Sequence, residues 1–217
     1  MITLAIDAST YEGNVAVLDE SRVLAEEAVA MRGADQERLM PAVATALSAA
    51  NVSVRDLGRV VCGAGPGSFT SLRIGGSIAK GIASGIGAPL FACPSLGLIV
   101  AGADLHPGVY LATLDALRGE YYAGLYERAD DGHVHEITAA RVIAADRLDT
   151  AAAEASAELI GPSHGGLVPR ARGVLRLGDL LANRGAVDIA TWEPTYGRLA
   201  EAQVKWESVH GRPLPKS

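Results

Sequence analysis

A strand-like run, Val60-Val61-Cys62, passes without a break into Gly63-Ala64-Gly65-Pro66-Gly67-Ser68-Phe69-Thr70-Ser71-Leu72-Arg73-Ile74-Gly75 and then into a helix-like run ending at Ile86. Strand, glycine-rich connection and helix in that order indicate an α/β protein whose helix packs back on the sheet. Such a connection brings backbone N–H groups together at the positive end of a helix, where phosphates and other anions bind readily. It is not a P-loop, because no Gly-Lys-Ser/Thr follows, and Ser68 stands where a dinucleotide fingerprint needs its third glycine. Two readings stay open at this point. The loop is either a close approach to a ligand or partner helix, or a tight turn with Thr70 or Ser71 capping the helix.

The helix has two apolar sides. Ile74, Ile78, Ile82 and Ile86 make a ridge at four-residue steps, beside a lane of small residues, Gly75, Ala79, Ala83 and Gly87. A glycine inside a helix is unfavourable by about 1 kcal/mol relative to alanine, so Gly75, Gly76, Gly81 and Gly85 require a packing gain. The small lane lets another helix approach closely, and two apolar faces favour a partner beyond the protein's own sheet.

With 217 residues, 49% hydrophobic and 20% charged, the chain can bury one good core or two small ones. A net charge of −6, with 19 scattered Lys and Arg, argues against a broad basic surface for nucleic acid. Cys62 and Cys93 lie in apolar surroundings and read as core residues, not as a disulfide or zinc framework. Neither a signal peptide nor a membrane-spanning run is visible, so the expected location is the cytoplasm.

Along the chain, Ile2–Ile6, Val15–Leu18 and Val23–Val29 predict a three-stranded meander. A helix follows, capped by Asp35, with Leu39, Val43, Ala46, Leu47 and Ala50 on its apolar stripe and Pro41 kinking it or marking its first turn. Beyond the second helix, Pro89–Ala92 is a strand and Pro94-Ser95 opens a third helix. Val109–Asp115 and Glu120–Tyr126 form a hairpin that echoes the first, each first strand ending in Asp-Ala. This suggests a duplicated strand–strand–strand–helix unit. An alanine-rich helix (146–157), a strand ending at Ile160 and a helix around Leu175–Leu181 complete the second half. The expected domains are 1–104, with the glycine-rich loop and dimerisation helices, and 105–217, with an extended tail.

Other candidate chemistry is thinner. Asp7 and Asp115 end strands, where carboxylates hold metals or orient water but also make turns. His133 and His135 share a strand face without further ligands nearby in sequence. Gly161-Pro162-Ser163-His164-Gly165 matches the nucleophile-elbow spacing, with Asp179 or Asp188 and then His210 in hydrolase order, yet Gly165-Gly166 and Pro169 obstruct the helix it needs.

Taken together, Leu4-Ala5-Ile6-Asp7-Ala8-Ser9-Thr10, Gly65-Pro66-Gly67-Ser68-Phe69-Thr70 with Leu72-Arg73-Ile74-Gly75, Asp115-Ala116 with Arg118-Gly119-Glu120-Tyr121-Tyr122, and Glu193-Pro194-Thr195-Tyr196 resemble the bacterial TsaB (YeaZ) family. These pieces span nearly the whole chain in order. The resemblance implies the actin-like/Hsp70-like ATPase fold, with two ribonuclease-H-like lobes, each a mixed sheet with helices. It also implies a non-catalytic partner of the TsaD transferase in making threonylcarbamoyladenosine in tRNA. TsaD binds a metal through paired histidines in its first-lobe helix, where this chain has Asp35, Gln36 and Glu37, so neither metal site nor catalytic residue is expected. Expected partners are a TsaD-like transferase, a TsaE-like ATPase, tRNA indirectly, and a second copy when the chain is alone.

The candidate partner interface is Leu39, Val43, Leu47, Gly75, Ile78, Ala79, Ile82, Ala83 and Ile86. Candidate nucleotide or anion contacts are Asp7, Ser9, Thr10, Gly65, Gly67, Ser68, Thr70 and Arg73, with ATP or ADP held at the interface of the complex. Ser71 departs from a glycine usual in the family, and Leu117 from a commonly basic residue. The rival readings are an independent ATPase or phosphotransferase of the same fold and, behind it, a serine esterase using Ser163.

Overall fold

The computed structural model describes residues 1–33 and 36–197. β1 (Ile2–Asp7), β2 (Glu12–Leu18) and β3 (Val23–Ala30) form the antiparallel meander, and β4 (Leu57–Gly63) and β5 (Leu90–Cys93) join it in parallel, in the order β3-β2-β1-β4-β5. α1 (Leu39–Ala49) connects β3 to β4, and α2 (Phe69–Ile86) connects β4 to β5. After α3 (Ser95–Gly102) comes a second sheet of β6 (Gly108–Asp115), β7 (Glu120–Arg128), β8 (Val134–Ala144) and β9 (Glu158–Ile160), ordered β8-β7-β6-β9. α4 (Leu148–Glu154) precedes β9, and α5 (Gly178–Arg184) comes last. Each half therefore runs third, second, first, fourth strand, with the fourth parallel to the first. The duplication suggested by the two hairpins extends to the topology.

Period-two alternation divides the first sheet between two cores. Leu4, Ile6, Val15, Val17, Val60 and Cys62 face α1 and α2, whereas Ala5, Ala16, Leu18 and Val61 face a central layer. That layer holds α3 and the 3₁₀ turn Ala171–Arg176, and Tyr110, Ala112, Leu114, Tyr122 and Tyr126 of the second sheet close it from the other side. Leu111, Ala123, Leu148 and Ala152 form a smaller core under α4. Both cysteines are free and buried, and burial pushes their thiols up.

α3 is buried along its whole length, so its last carbonyls need internal donors. Three arginines provide them: Arg128 to Val100 O and Ala103 O, Arg176 to Ala101 O, and Arg172 to Gly102 O. Their positive charge also suits the negative end of the helix.

Several expectations change. Asp35, expected to cap α1, lies outside the described residues; the Glu37 carboxylate accepts from the backbone N–H groups of Leu39 and Met40. Pro41 falls in the first turn of α1, where its missing N–H does no harm. Neither Thr70 nor Ser71 caps α2: the helix begins at Phe69, its N-cap Ser68 makes no capping bond, and Ser68 Oγ lies 3.0 Å from Ser71 Oγ. α2 ends at Gly87 in the left-handed region, φ 70°. Residues 186–197, grouped by sequence with the second half, return to the first lobe, where Ala186 bridges Phe91 and Val187 N–H donates to Leu90 O. Among the described residues no helix is long and apolar enough to cross a membrane.

Candidate interlobe cleft and outer helix face

The strand ends of both halves converge on a cleft of about 710 Å³. Its first-lobe wall is the β1–β2 turn (Ser9, Thr10, Tyr11), Arg32, and the entry to α2 (Gly67, Ser68, Phe69, Thr70). The facing wall is Leu114 to Arg118, Tyr122, and Pro162-Ser163, with Tyr196 between. The two hairpins use the same device: Asp7 Oδ1 accepts from Ser9 N–H at 3.0 Å, and Asp115 Oδ1 accepts from Leu117 N–H at 2.7 Å. Each is an Asp side chain bonding its own backbone two residues on. Leu117 occupies the second hairpin's tip at φ 63° and is 56% exposed, and Arg32 and Arg118 are the cations among the described residues that line the cleft. Arg32 stacks on Tyr11, 3.3 Å from the ring centre.

Of the candidate anion contacts, Ser9, Thr10, Gly67, Ser68 and Thr70 line the cleft, whereas Asp7, Gly65 and Arg73 do not. Asp7 is fully buried beneath it. Its Oδ1 also takes the Ser9 hydroxyl at 2.7 Å, its Oδ2 takes the Ser95 hydroxyl at 2.6 Å, and Ser95 Oγ accepts from Gly65 N–H at 3.0 Å. The carboxyl thus ties β1, α3 and the glycine-rich loop together, and its burial raises its pKa despite these donors. Gly65 is backed by the Thr195 carbonyl, and Arg73 lies out on α2 with its guanidinium 5.3 Å from the Phe69 ring. Sequence reasoning did not pick out Tyr11, Arg32 or Ser163 for this site: Tyr11 adjoins Thr10 but lies just past the family motif, and Arg32 and Ser163 come from distant segments. Tyr122 and Tyr196 stood in the family motifs, which was the available signal.

The elbow that the esterase reading needs does not form among the described residues. Pro162-Ser163 is a tight turn closed by reciprocal Gly161–His164 backbone bonds, no helix follows it, and His164 Nδ1 lies 3.1 Å from Thr113 Oγ1. Asp188 accepts from Ala190 N–H and the Thr191 hydroxyl, and His210 lies outside the described residues.

The expected partner face needs a larger correction. Leu39, Val43, Gly75, Ala79 and Ala83 are buried in the first lobe's own core, so they line no exposed surface. A Cβ on Gly75 would stand 3.0 Å from the Ala8 methyl, so the small lane lets α2 sit close on its own sheet. Leu47, Ile78, Ile82 and Ile86 are half-buried at the flank of that core. A second small lane faces outward instead: Ser77, Gly81, Ser84 and Gly85 are exposed, and among the described residues nothing lies within 4 Å of where a Cβ on Gly81 or Gly85 would be.

Comparison with known proteins agrees with this architecture. The family model for TsaD, tRNA N6-adenosine threonylcarbamoyltransferase, matches residues 30–170. The Bacillus subtilis tRNA threonylcarbamoyladenosine biosynthesis protein TsaB is 31% identical over 95% of this chain and 98% of its own length. The Escherichia coli TsaB is 36% identical over 62% of this chain and 59% of its own. Among solved structures, YeaZ from Pseudomonas aeruginosa superposes with a TM-score of 0.76 at 25% identity, covering 90% of this chain and 99% of that one.

Proposed function

The chain belongs to the TsaB family of tRNA threonylcarbamoyladenosine biosynthesis proteins, and on that premise we propose that it is the non-catalytic subunit that holds a TsaD-type transferase in working form. Its part in that biosynthesis follows from the family; the scaffold role and the docking surface are our reading. The docking surface is the outward lane of α2, Ser77, Gly81, Ser84 and Gly85, bordered by Ile78 and Ile82. One observation carries it. Gly81 and Gly85 sit inside an 18-residue helix with open space where their side chains would be, so nothing among the described residues offsets them. A partner helix lying closely over the lane would, as small residues permit short interaxial distances. The same surface can pair two copies when the transferase is absent. On this reading a TsaE-type ATPase completes the machinery, tRNA is reached through the transferase, and ATP or ADP binds at the assembled interface.

The test is co-purification with the transferase. Gly81→Leu and Gly85→Leu each have room among the described residues and replace a poor helix former, so the variants should melt no lower than the wild type and lose the complex. Undiminished complex formation by the folded double variant would defeat the docking claim. An ATPase acting alone is the competing reading, and turnover of ATP by the purified chain without partners would favour it.

A further inference from the structure

Residues 192–197 leave the first lobe's edge and cross the mouth of the cleft. Lys80 Nζ of α2 donates to Trp192 O at 2.8 Å, Thr195 N–H donates to Ala64 O at 2.7 Å, and the Tyr196 ring packs on Phe69 with centroids 4.6 Å apart. From the opposite lobe, the Tyr122 hydroxyl donates to Tyr196 O at 3.4 Å. Three glycines make the path passable. A Cβ at Gly65 would come 2.5 Å from Thr195 O, one at Gly76 3.1 Å from Pro194 Cγ, and one at Gly197 2.5 Å from the Tyr122 ring. Gly76 is therefore accounted for by this segment, independently of any partner helix.

We infer that Trp192–Gly197 is a releasable strap that fastens the two lobes across the cleft, and that its release is what opens the cleft. The segment has no secondary structure of its own. Pro194 is buried, Trp192 and Tyr196 are half-buried, and Thr191, Glu193, Thr195 and Gly197 are exposed. Such a sparse set of contacts opens at far lower free energy than strands with two buried faces. It touches both walls, stacking on Phe69 at the start of α2 and resting against Tyr122 of β7, so lifting it frees both together. Tyr196 is the main anchor, and Lys80 the second.

Native-state hydrogen exchange on the full chain tests this. In the wild type, the Thr195 amide and those of 65 and 67–72 should exchange well before those of Ala5 and Val61, which are themselves buried within their strands. Tyr196→Ala should speed exchange across 65–72 and 116–122 by about tenfold with 3–6 and 59–62 unchanged, the pattern of a local opening. Lys80→Met should produce the same pattern more weakly, and Tyr196→Phe, which keeps the ring stack, should match the wild type. Unchanged exchange in both wall segments, or an equal rise in the β1 and β4 amides, would overturn the strap.

Discussion

At the end of β1 a carboxylate is withdrawn entirely from water and held by donors from Ser9 and Ser95. Those donors favour the ionised form and burial opposes it, with burial the larger effect, so the folded Asp7 pKa lies above its ordinary value of 3.8. The folded chain then holds this proton more tightly than the unfolded one. Its contribution to stability is complete below the unfolded pKa and declines as pH rises through the folded pKa. Asp7→Asn keeps the Oδ1 acceptor and cannot ionise. The stability of wild type minus that of Asp7→Asn, measured by urea titration, should therefore fall from acid toward neutral pH; a flat or rising difference contradicts the assignment. A strand-ending Asp could be read from sequence, but its burial could not, because Ser95 lies 88 residues away.

On the scale of elements, α2 shows how far periodicity reaches. One small-residue lane was legible, but which face of the helix meets the sheet was not. Ala79 and Gly81 are about 200° apart around a helix at 100° per residue, so each lane is equally regular in sequence. Only the β1 surface, with Ala8 beneath Gly75, decides between them. Gly81→Ala and Gly85→Ala should each stabilise the isolated chain by about 0.5–1 kcal/mol in thermal melts, because they fill open space on a helix. Ala83→Leu should instead destabilise it by about 1–3 kcal/mol through overpacking of a residue with no exposure. α3 teaches the same lesson from its far end. Arg128 is 6% exposed and donates to two of the helix's terminal carbonyls, so Arg128→Met should destabilise by about 2–3 kcal/mol. Nothing in the local sequence of β7 marks that arginine as a helix cap.

Over the whole molecule, two sheets of like topology share a central layer and are tied together on more than one side. Asn14 binds Pro169 O and Ala171 N–H behind that layer, α3 is buried between the sheets, and the segment ending at Gly197 crosses the cleft in front. The duplication was legible from paired Asp-Ala strand ends. The return of residues 186–197 to the first lobe was not, since a single bridge to Phe91 and a few backbone bonds leave no periodic trace. The proposed scaffold role uses the packing of α2, which is seated on the sheet by its inner face and so holds its outer lane toward solvent. The most direct measurement is nucleoside mass spectrometry of tRNA incubated with the TsaD-type transferase and its ATPase. Three reactions are compared: with this chain, without it, and with the Gly81→Leu/Gly85→Leu chain. Threonylcarbamoyladenosine should form with the wild-type chain and drop by about tenfold or more in the other two. Equal yields in all three would contradict the account.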